Sequence, residues 1–340
     1  QGEPAFRAKQ VYQWLWQKKA QSFADMTNLS KALRQKLGEQ FSLPALTVDA
    51  TQYAADGTVK SRFRTYDGHL IEGVLIPTED RKTACVSSQI GCSLTCKFCA
   101  TGYMQRKRNL LFDEIYDQVA MINRHCEATH GQKLSNIVFM GMGEPMLNYD
   151  NVMKAVDILT QPESELISPK HITLSTAGIV PGIIRLADES RSIKLALSLH
   201  GTTQGQREAI MPIANKYSLK ELGDALEYYY RKTKKPITFE YILFDGFNDT
   251  QEDVMRLAKL TRRVPSKVNV IPFHTIEFTA PEGISASLKP APESTFYAFI
   301  KALRSQDVTV MIRSSSGLDI DAACGQLAYS HAGGSAGAIA

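Results

Sequence analysis

Apolar and polar positions follow two different patterns along this chain. Over residues 5–19 and 30–41 apolar side chains recur at helical spacing, and the second stretch begins after Ser30, which we expect to cap the helix. Residues 45–77 instead alternate like short strands. We therefore expect a small N-terminal helical unit, followed by a short segment rich in strands.

From about residue 83 onward, strand-like and helix-like patterns take turns. The predicted strands are 83–89, 136–140, 171–176, 194–200, 237–244, 268–273 and 308–313. The predicted helices between them are 113–130, 150–161, 181–189, 218–231, 250–263 and 292–305. Six β/α units in succession predict an α/β fold with a parallel sheet and crossover helices.

The residues best suited to chemistry follow the predicted strands. Cys92–Cys99 follows the first strand and Gly141–Pro145 the second, while Ser175 ends the third and Ser198–His200 end the fourth. Parallel α/β sheets place their active sites at the carboxyl ends of the strands. The pattern therefore predicts a single site at this edge of the sheet.

Composition and charge narrow the class of protein. Hydrophobic residues make up 44% and charged residues 22% of the chain, which is ordinary for a soluble globular protein. The apolar run at 193–199 is too short to cross a bilayer and no secretory signal is visible, so we expect a cytoplasmic protein without a membrane partner. Residues 1–40 hold seven basic and three acidic side chains, a surplus equal to the net charge of +4 of the whole chain. A basic end on a neutral body favours a polyanionic partner.

Four of the six cysteines lie within fifteen residues, which without an export signal favours metal or redox chemistry over disulfides. Cys92, Cys96 and Cys99 form a CxxxCxxC motif. Three such thiolates can hold three irons of a [4Fe–4S] cluster and leave the fourth iron open. The alternative is a zinc site that takes Cys85 as its fourth thiolate. Cys126 lies on the apolar face of a predicted helix, so we expect it in the core.

The cysteine motif resembles that of the radical S-adenosylmethionine (SAM) superfamily. The segment Gly141–Pro145 (GMGEP) looks like the superfamily's loop for the SAM amino group. The resemblance implies a [4Fe–4S] cluster on Cys92, Cys96 and Cys99, with SAM as the second cofactor. In such a loop the glycines allow a close approach of the backbone, and Glu144 accepts a hydrogen bond from the ammonium group.

Four segments narrow the resemblance to the RlmN/Cfr family of RNA adenine methyltransferases. They are Gly2–Gln10 (GEPAFRAKQ), Cys85–Cys99 (CVSSQIGCSLTCKFC), Ser198–His200 (SLH) and Asp319–Leu327 (DIDAACGQL). The similarity implies a radical SAM partial (β/α)6 barrel in residues 81–330, ending in a loop that carries a methyl-accepting cysteine. Before it come a basic helical accessory domain at 1–45 and a strand-rich connection at 46–80, and after it a flexible tail at 331–340.

The family resemblance also implies roles for residues outside the cysteine motif. Cys324 takes a methyl group from one SAM, the radical derived from a second SAM removes a hydrogen from that S-methyl, and the resulting carbon adds to adenine. Cys85 then attacks Cys324 and releases the product through a transient disulfide. Glu72 aligns with the family's proton-acceptor glutamate, although the sequence leaves open whether Glu72 or Cys85 takes the ring proton.

The same resemblance implies a set of SAM contacts with one departure from the family pattern. The contacts are Gly143, Glu144, Ser175, Ser198, Leu199, His200 and His274. His274 stands where the family usually has Asn, and an imidazole can still donate or accept one hydrogen bond.

The implied reaction is methylation of adenosine carbon 2 in 23S ribosomal RNA, at the peptidyl transferase centre, and in tRNA next to the anticodon. The resemblance further implies a monomer and a reducing electron donor such as flavodoxin. The basic N-terminal residues and Arg106–Arg108 are candidate phosphate contacts. Two alternatives stay open. One is Cfr-type methylation of carbon 8, which confers antibiotic resistance and which the sequence of Pro77–Thr83 disfavours. The other is a non-catalytic zinc or iron–sulfur RNA-binding protein.

Overall fold

A computed structural model describes residues 3–18, 20–162, 166–313 and 315–328. The predicted tail at 331–340 lies outside these residues. The helices, in chain order, are α1 (Ala5–Trp16), α2 (Lys31–Gln40), α3 (Phe112–His130), α4 (Tyr149–Leu159), α5 (Val180–Asp188), α6 (Gln204–Ile210), α7 (Leu219–Thr233), α8 (Gln251–Thr261), α9 (Ile284–Ser287) and α10 (Glu293–Arg304). In this part of the chain, no helix combines the length and the apolar character needed to span a bilayer.

Ten of the strands form one sheet across the described residues. The strands are β1 (Leu46–Tyr53), β2 (Val59–Thr65), β3 (Leu70–Pro77), β4 (Lys82–Cys85), β5 (Gln89–Ile90), β6 (Arg108–Asn109), β7 (Asn136–Phe139), β8 (Ile172–Thr176), β9 (Lys194–Ser198), β10 (Ile237–Leu243), β11 (Ser266–Pro272) and β12 (Val310–Ile312). Their order in the large sheet is β1-β2-β3-β4-β7-β8-β9-β10-β11-β12, while β5 and β6 pair separately.

The direction of the strands divides the large sheet into two parts. From β4 through β7 to β12 every neighbouring pair is parallel, and six helical crossovers join these strands. The predicted α/β fold is therefore confirmed. β1 to β4 pair antiparallel, and Val74 of β3 lies opposite Cys85 of β4. The segment 46–80, which we expected as a connection, thus extends the sheet of the core.

The parallel part of the sheet curls into a partial barrel. Arg313, directly after β12, places Nη1 3.0 Å from the sulfur of Met140, directly after β7. Five strand spacings of roughly 4.8 Å each would separate these positions in a flat sheet. The contact therefore requires a strongly curved sheet, with alternate side chains of each strand facing its interior.

The N-terminal helices have a small core of their own. Met26, Leu29, Leu33 and Leu37 form a buried cluster apart from the main core. The hydroxyl of Ser30 accepts a hydrogen bond from the Leu33 N–H at 3.2 Å, so the predicted helix cap is present. Cys126 is fully buried in the main core, as the helical pattern predicted.

Candidate active site

The carboxyl ends of the parallel strands surround a pocket that we call the upper cavity. Its walls come from the loops after β4, β7, β8 and β9 and from the loop after β12. Of the residues selected from the sequence, those lining it are Cys92, Cys96, Cys99, Gly143, Glu144, Ser175, Ser198, His200 and Cys324. Residues separated by more than 200 positions in sequence are thus brought together where the sequence pattern predicted a single site.

The three motif cysteines occupy one wall of the upper cavity. Burial raises the pKa of Cys92 to about 12 and raises the pKa values of Cys96 and Cys99 as well. The charge of Cys99 also raises the pKa values of Cys92 and Cys96, and that of Cys92 raises the pKa of Cys96, because like charges held close together repel. Three such thiols ionise together only when cations lie among them. Within the described residues, no three His, Cys, Asp or Glu side chains are grouped so that they could hold a single metal ion.

The loop after β7 depends on a glycine in the left-handed region. Gly143 has φ +92°, and a Cβ at this position would lie 2.4 Å from the Cβ of Gln89. The side chain of Gln89 fixes this loop, because its Oε1 accepts from the Glu144 N–H at 2.9 Å and its Nε2 donates to Asn109 at 2.8 Å. We did not predict a role for Gln89 from sequence, where it is one polar residue among several.

The carboxylate of Glu144 joins the loops after β7 and β8. One oxygen accepts from the Met146 N–H at 3.1 Å and the other from the Ala177 N–H at 2.8 Å. Burial raises the pKa of Glu144 to about 7, although these backbone hydrogen bonds favour the ionised form. The Thr176 hydroxyl also donates to this carboxylate, which with three donors still has one of its four acceptor positions for a cationic ligand.

His200 presents a neutral imidazole to the upper cavity. Its Nδ1 accepts a hydrogen bond from the Ile242 N–H at 3.1 Å, which assigns the ring proton to Nε2. Burial lowers the pKa of His200 to about 3, and the nearby Arg207 lowers it further. The ring packs edge-on against Phe98 of the cysteine loop, with centroids 4.7 Å apart. His200 can therefore donate through Nε2 without carrying a charge.

A buried arginine connects the ends of β8 and β9. Arg207 is 1% exposed, and its guanidinium donates to the carbonyls of Ser198, Leu199 and Ala177. Leu199 is also buried and does not line the upper cavity, and its backbone N–H donates to the carbonyl of Glu240. The sequence offered no signal for Arg207, because the acceptors it bridges come from two different strands.

Cys324 lies between the cysteine loop and the interior of the barrel. The carbonyl of the next residue, Gly325, accepts from the Ala100 N–H at 2.7 Å, so the two loops are joined by their backbones. Cys85, at the end of β4, is not part of the upper cavity wall. Burial raises the pKa of Cys85 to about 12, the charge of Cys324 raises it further, and Arg313 lowers it. The structure thus places Cys85 beside Cys324 and Arg313.

Glu72 is buried in the sheet next to a lysine. It is 3% exposed, its carboxylate lies 3.8 Å from the Nζ of Lys60, and one of its oxygens has no hydrogen-bond partner in the described structure. Burial raises the pKa of Glu72, while Lys60 lowers it. Lys60 also donates to the carbonyl of Asp321 at 3.4 Å, which links this pair to the loop that carries Cys324.

His274, which we expected as a SAM contact, does not line the upper cavity. His274 bonds to Ser315 and lines a second cavity below the first.

Arg108 forms ion pairs with Asp67 and with the fully buried Glu114, both at 2.7 Å. Its guanidinium is therefore used inside the fold, and the expected phosphate contact at Arg108 is not supported.

Two family profiles match the chain. Residues 1–43 match the ribosomal RNA large subunit methyltransferase N-terminal domain, and residues 86–258, half of the chain, match the radical SAM superfamily. A protein of Flavobacterium psychrophilum, named probable dual-specificity RNA methyltransferase RlmN, is 49% identical over 326 residues, covering 96% of this chain and 92% of the relative. The dual-specificity RNA methyltransferase RlmN of Geotalea uraniireducens is 44% identical, with 96% and 91% covered.

Solved structures show the same relationship. A radical SAM methyltransferase from Sphaerobacter thermophilus superposes with a TM-score of 0.88 and 39% identity, covering 96% of this chain and 93% of that one. HydG, a maturase of the [FeFe]-hydrogenase, superposes with a TM-score of 0.53 at 12% identity, covering 70% of this chain and 53% of that one, which shows a shared fold alone. The full-length similarity and both profiles show that the chain belongs to the RlmN family of the radical SAM superfamily.

Proposed function

We propose that this protein methylates carbon 2 of adenosine in 23S ribosomal RNA and in tRNA next to the anticodon, with Cys324 as the methyl carrier. The observation that supports this most is the position of Cys324, which lines the upper cavity with the three motif cysteines and also lies beside a second free thiol, Cys85. A methyl carrier requires access to the methyl donor on one side and to a resolving thiol on the other.

The residues of the upper cavity fit a [4Fe–4S] cluster and SAM. Cys92, Cys96 and Cys99 supply three thiols to one wall, and burial of thiols that repel one another is offset when iron ions lie between them. When bound, the cluster and SAM supply a transferable methyl group and, after reduction by a donor such as flavodoxin, a carbon radical. The cysteines hold the cluster and leave one iron free for SAM.

The remaining side chains of the upper cavity orient SAM. Glu144 accepts from the amino group, as its remaining acceptor position allows. Ser175 and Ser198, whose hydroxyl oxygens lie 3.4 Å apart, offer two neighbouring hydroxyls, and His200 donates from Nε2. Gly143 lets the backbone of its loop approach the ligand. The family pattern adds Leu199 and His274 to the SAM contacts, but Leu199 lines neither cavity and His274 lines only the second one.

Thiol chemistry then completes the reaction. The thiolate of Cys324 attacks the methyl carbon of SAM, so that a new sulfur–carbon bond forms, the sulfonium–methyl bond breaks and S-adenosylhomocysteine leaves. Glu72 takes the ring proton, because its raised pKa makes it a better proton acceptor than an ordinary carboxylate. Once the new carbon–carbon bond exists, the sulfur of Cys85 attacks that of Cys324. The methylated RNA is released, and a disulfide remains that two reducing equivalents return to thiols.

Anaerobic reconstitution with iron and sulfide, followed by incubation with SAM, reductant and RNA, tests this proposal. Nucleoside mass analysis should show 2-methyladenosine in ribosomal RNA and in tRNA. Formation of 8-methyladenosine instead would indicate the Cfr-type reaction. A protein that binds RNA and one zinc ion, and that cleaves no SAM, would contradict the proposal in favour of a non-catalytic role.

A further inference from the structure

A second pocket, which we call the lower cavity, lies inside the barrel at the amino-terminal ends of the parallel strands. Its volume is about 630 Å³, and its walls are formed by residues of β4 and of β7 to β12, by the turn before β4 and by the loop that carries Cys324. Many of these side chains are polar, among them Asn136, Thr173, Thr238 and Asn269. The interior of a closed barrel is normally filled with branched apolar side chains. A polar interior of this size is therefore suited to a polar ligand.

The lower cavity meets the upper cavity at the proposed methyl carrier. Five residues line both, namely Met140, Glu240, Ile271, Arg313 and Cys324. Cys324 can thus be reached from two opposite directions. SAM requires the loops at the carboxyl ends of the strands, so the upper direction is the one used by the methyl donor. The methyl acceptor would then reach Cys324 from the opposite side, through the lower cavity.

Three cations surround the mouth of the lower cavity. Arg81, Lys194 and Lys267 all line it and are exposed, and no ion pair or side-chain hydrogen bond joins them to other described residues. Burial lowers the pKa of Lys194, and the charges of Lys267 and Arg81 lower it further, so the three groups lie close to one another. Like charges held together without acidic partners favour binding of an anion.

Two acidic side chains also line the lower cavity, and neither cancels this charge. Glu240 lies deeper in the barrel, where its carboxylate accepts from Asn269 at 2.9 Å and lies 3.6 Å from Arg313. Asp80 is exposed next to Arg81. Three basic groups against one acid leave the mouth positive.

The register of the sheet gives the depth of the cavity. Glu240, which lines both cavities as Cys324 does, pairs with Ser198 of β9, and Lys194 precedes Ser198 by four residues. Lys267 precedes Asn269, the other neighbour of Glu240, by two residues. At about 3.3 Å per residue, the backbones of Lys194 and Lys267 lie roughly 13 and 7 Å below that of Glu240 along the strands. That range matches the distance from the phosphate of a nucleotide to the far edge of its base.

We propose that the lower cavity receives the target nucleotide, with the adenine ring against Cys324 and the adjacent phosphate held by Lys194, Lys267 and Arg81. This inference rests on the proposed RNA methylation and adds the direction from which the RNA enters. Thr238, which pairs with Ala196 between Lys194 and Ser198, lies between the two levels and offers its hydroxyl to the edge of the base. A base that acts as substrate must leave its stack and enter a pocket of this kind.

A synthetic RNA hairpin that carries one uncharged methylphosphonate at the target adenosine tests the inference. The protein variant is Lys194→Gln combined with Lys267→Gln. RNA affinity is measured by equilibrium binding with the four combinations of protein and RNA. The double protein variant with unmodified RNA, and the wild-type protein with the methylphosphonate RNA, should each bind about tenfold more weakly than the unchanged pair. Because both remove the same contact, the two changes together should weaken it no more than one does.

Two controls make the result specific. Lys301→Gln on α10, which does not line the lower cavity, should leave the effect of the methylphosphonate unchanged. Methyl loading of Cys324 from SAM without RNA should be normal in the double variant, because the upper cavity is intact. If the losses are additive, or if the methylphosphonate has no effect, the nucleotide does not bind in the lower cavity. A wild-type protein that loads no methyl group and methylates no RNA would instead contradict the proposed function itself.

Discussion

At the scale of single residues, the conformation of Gly143 controls the loop that we propose binds SAM. At φ +92° an L side chain is strained, and its Cβ would overlap the Cβ of Gln89 at 2.4 Å. We expect Gly143→Ala to displace the loop and to weaken SAM binding by at least tenfold, measured by equilibrium dialysis under anaerobic conditions. Gly205→Ala is the matched control, because nothing lies within 4 Å of a Cβ there. Equal SAM affinity in both variants would show that the Gly143 loop does not hold SAM.

Single residues also show which parts of the site can be predicted from the amino-acid sequence and which cannot. The motif cysteines, Glu144 and His200 were recognised because each stands in a short segment with a family pattern. Arg207 and Gln89 were missed, since their partners come from separate strands and their importance exists only in the folded chain. The structure does not support the predicted phosphate contact at Arg108, and the sequence could not show this because Asp67, its ion-pair partner, lies 41 residues away.

At the scale of elements, a half-buried carboxylate of α3 joins the helix to the start of β1. Asp117 accepts from the backbone N–H groups of Ala45 and Leu46 at 2.7 and 3.3 Å, and burial raises its pKa to about 6. Because its pKa is higher in the folded than in the unfolded protein, this carboxyl favours the folded state only while it is protonated. The protein therefore loses stability as pH rises from about 4 to about 6, and the loss persists at higher pH.

Asp117→Asn tests this link between α3 and β1. The amide oxygen can still accept from both N–H groups but carries no charge, so we expect a gain of about 2 kcal/mol in the free energy of unfolding at pH 7.5. The gain should vanish near pH 4, where the wild-type carboxyl is neutral. Anaerobic unfolding in urea at both pH values measures it. Asp245→Asn, at an exposed position, should change stability little at either pH. A variant that is less stable at pH 7.5 would contradict the assignment.

The elements themselves were largely predictable, and the exceptions have physical causes. All seven strands predicted after residue 83 are present, although several are shorter than expected, because alternating apolar runs between helices leave few other arrangements. The pairing of β3 with β4 was not predicted, since an antiparallel neighbour leaves no mark on the sequence of β4. Consequently the segment 46–80 was expected as a connection, whereas it extends the sheet and carries Glu72 and Lys60 next to the loop of Cys324.

At the scale of the whole molecule, the three motif cysteines should act as one unit. If they hold a [4Fe–4S] cluster, Cys96→Ala should lose most of its iron and all SAM cleavage, whereas Cys126→Ala, in the core, should keep both. Iron and sulfide analysis after anaerobic purification, together with assay of SAM cleavage, measures these effects. Retention of about four irons per chain in Cys96→Ala would show that the cluster lies elsewhere. One zinc and no iron in the wild type would support the zinc alternative.

The most direct test of the central claim separates the two thiols outside the motif. Cys85→Ala should still load a methyl group on Cys324 and still form the bond to adenine, but it cannot release the product. Incubation with SAM, reductant and RNA should therefore yield a covalent protein–RNA species that survives denaturation and disappears on nuclease treatment. Cys324→Ala should form no such species and should keep its iron. If Cys85→Ala lost its metal and trapped no RNA, Cys85 would be a metal ligand and the proposed mechanism would be wrong.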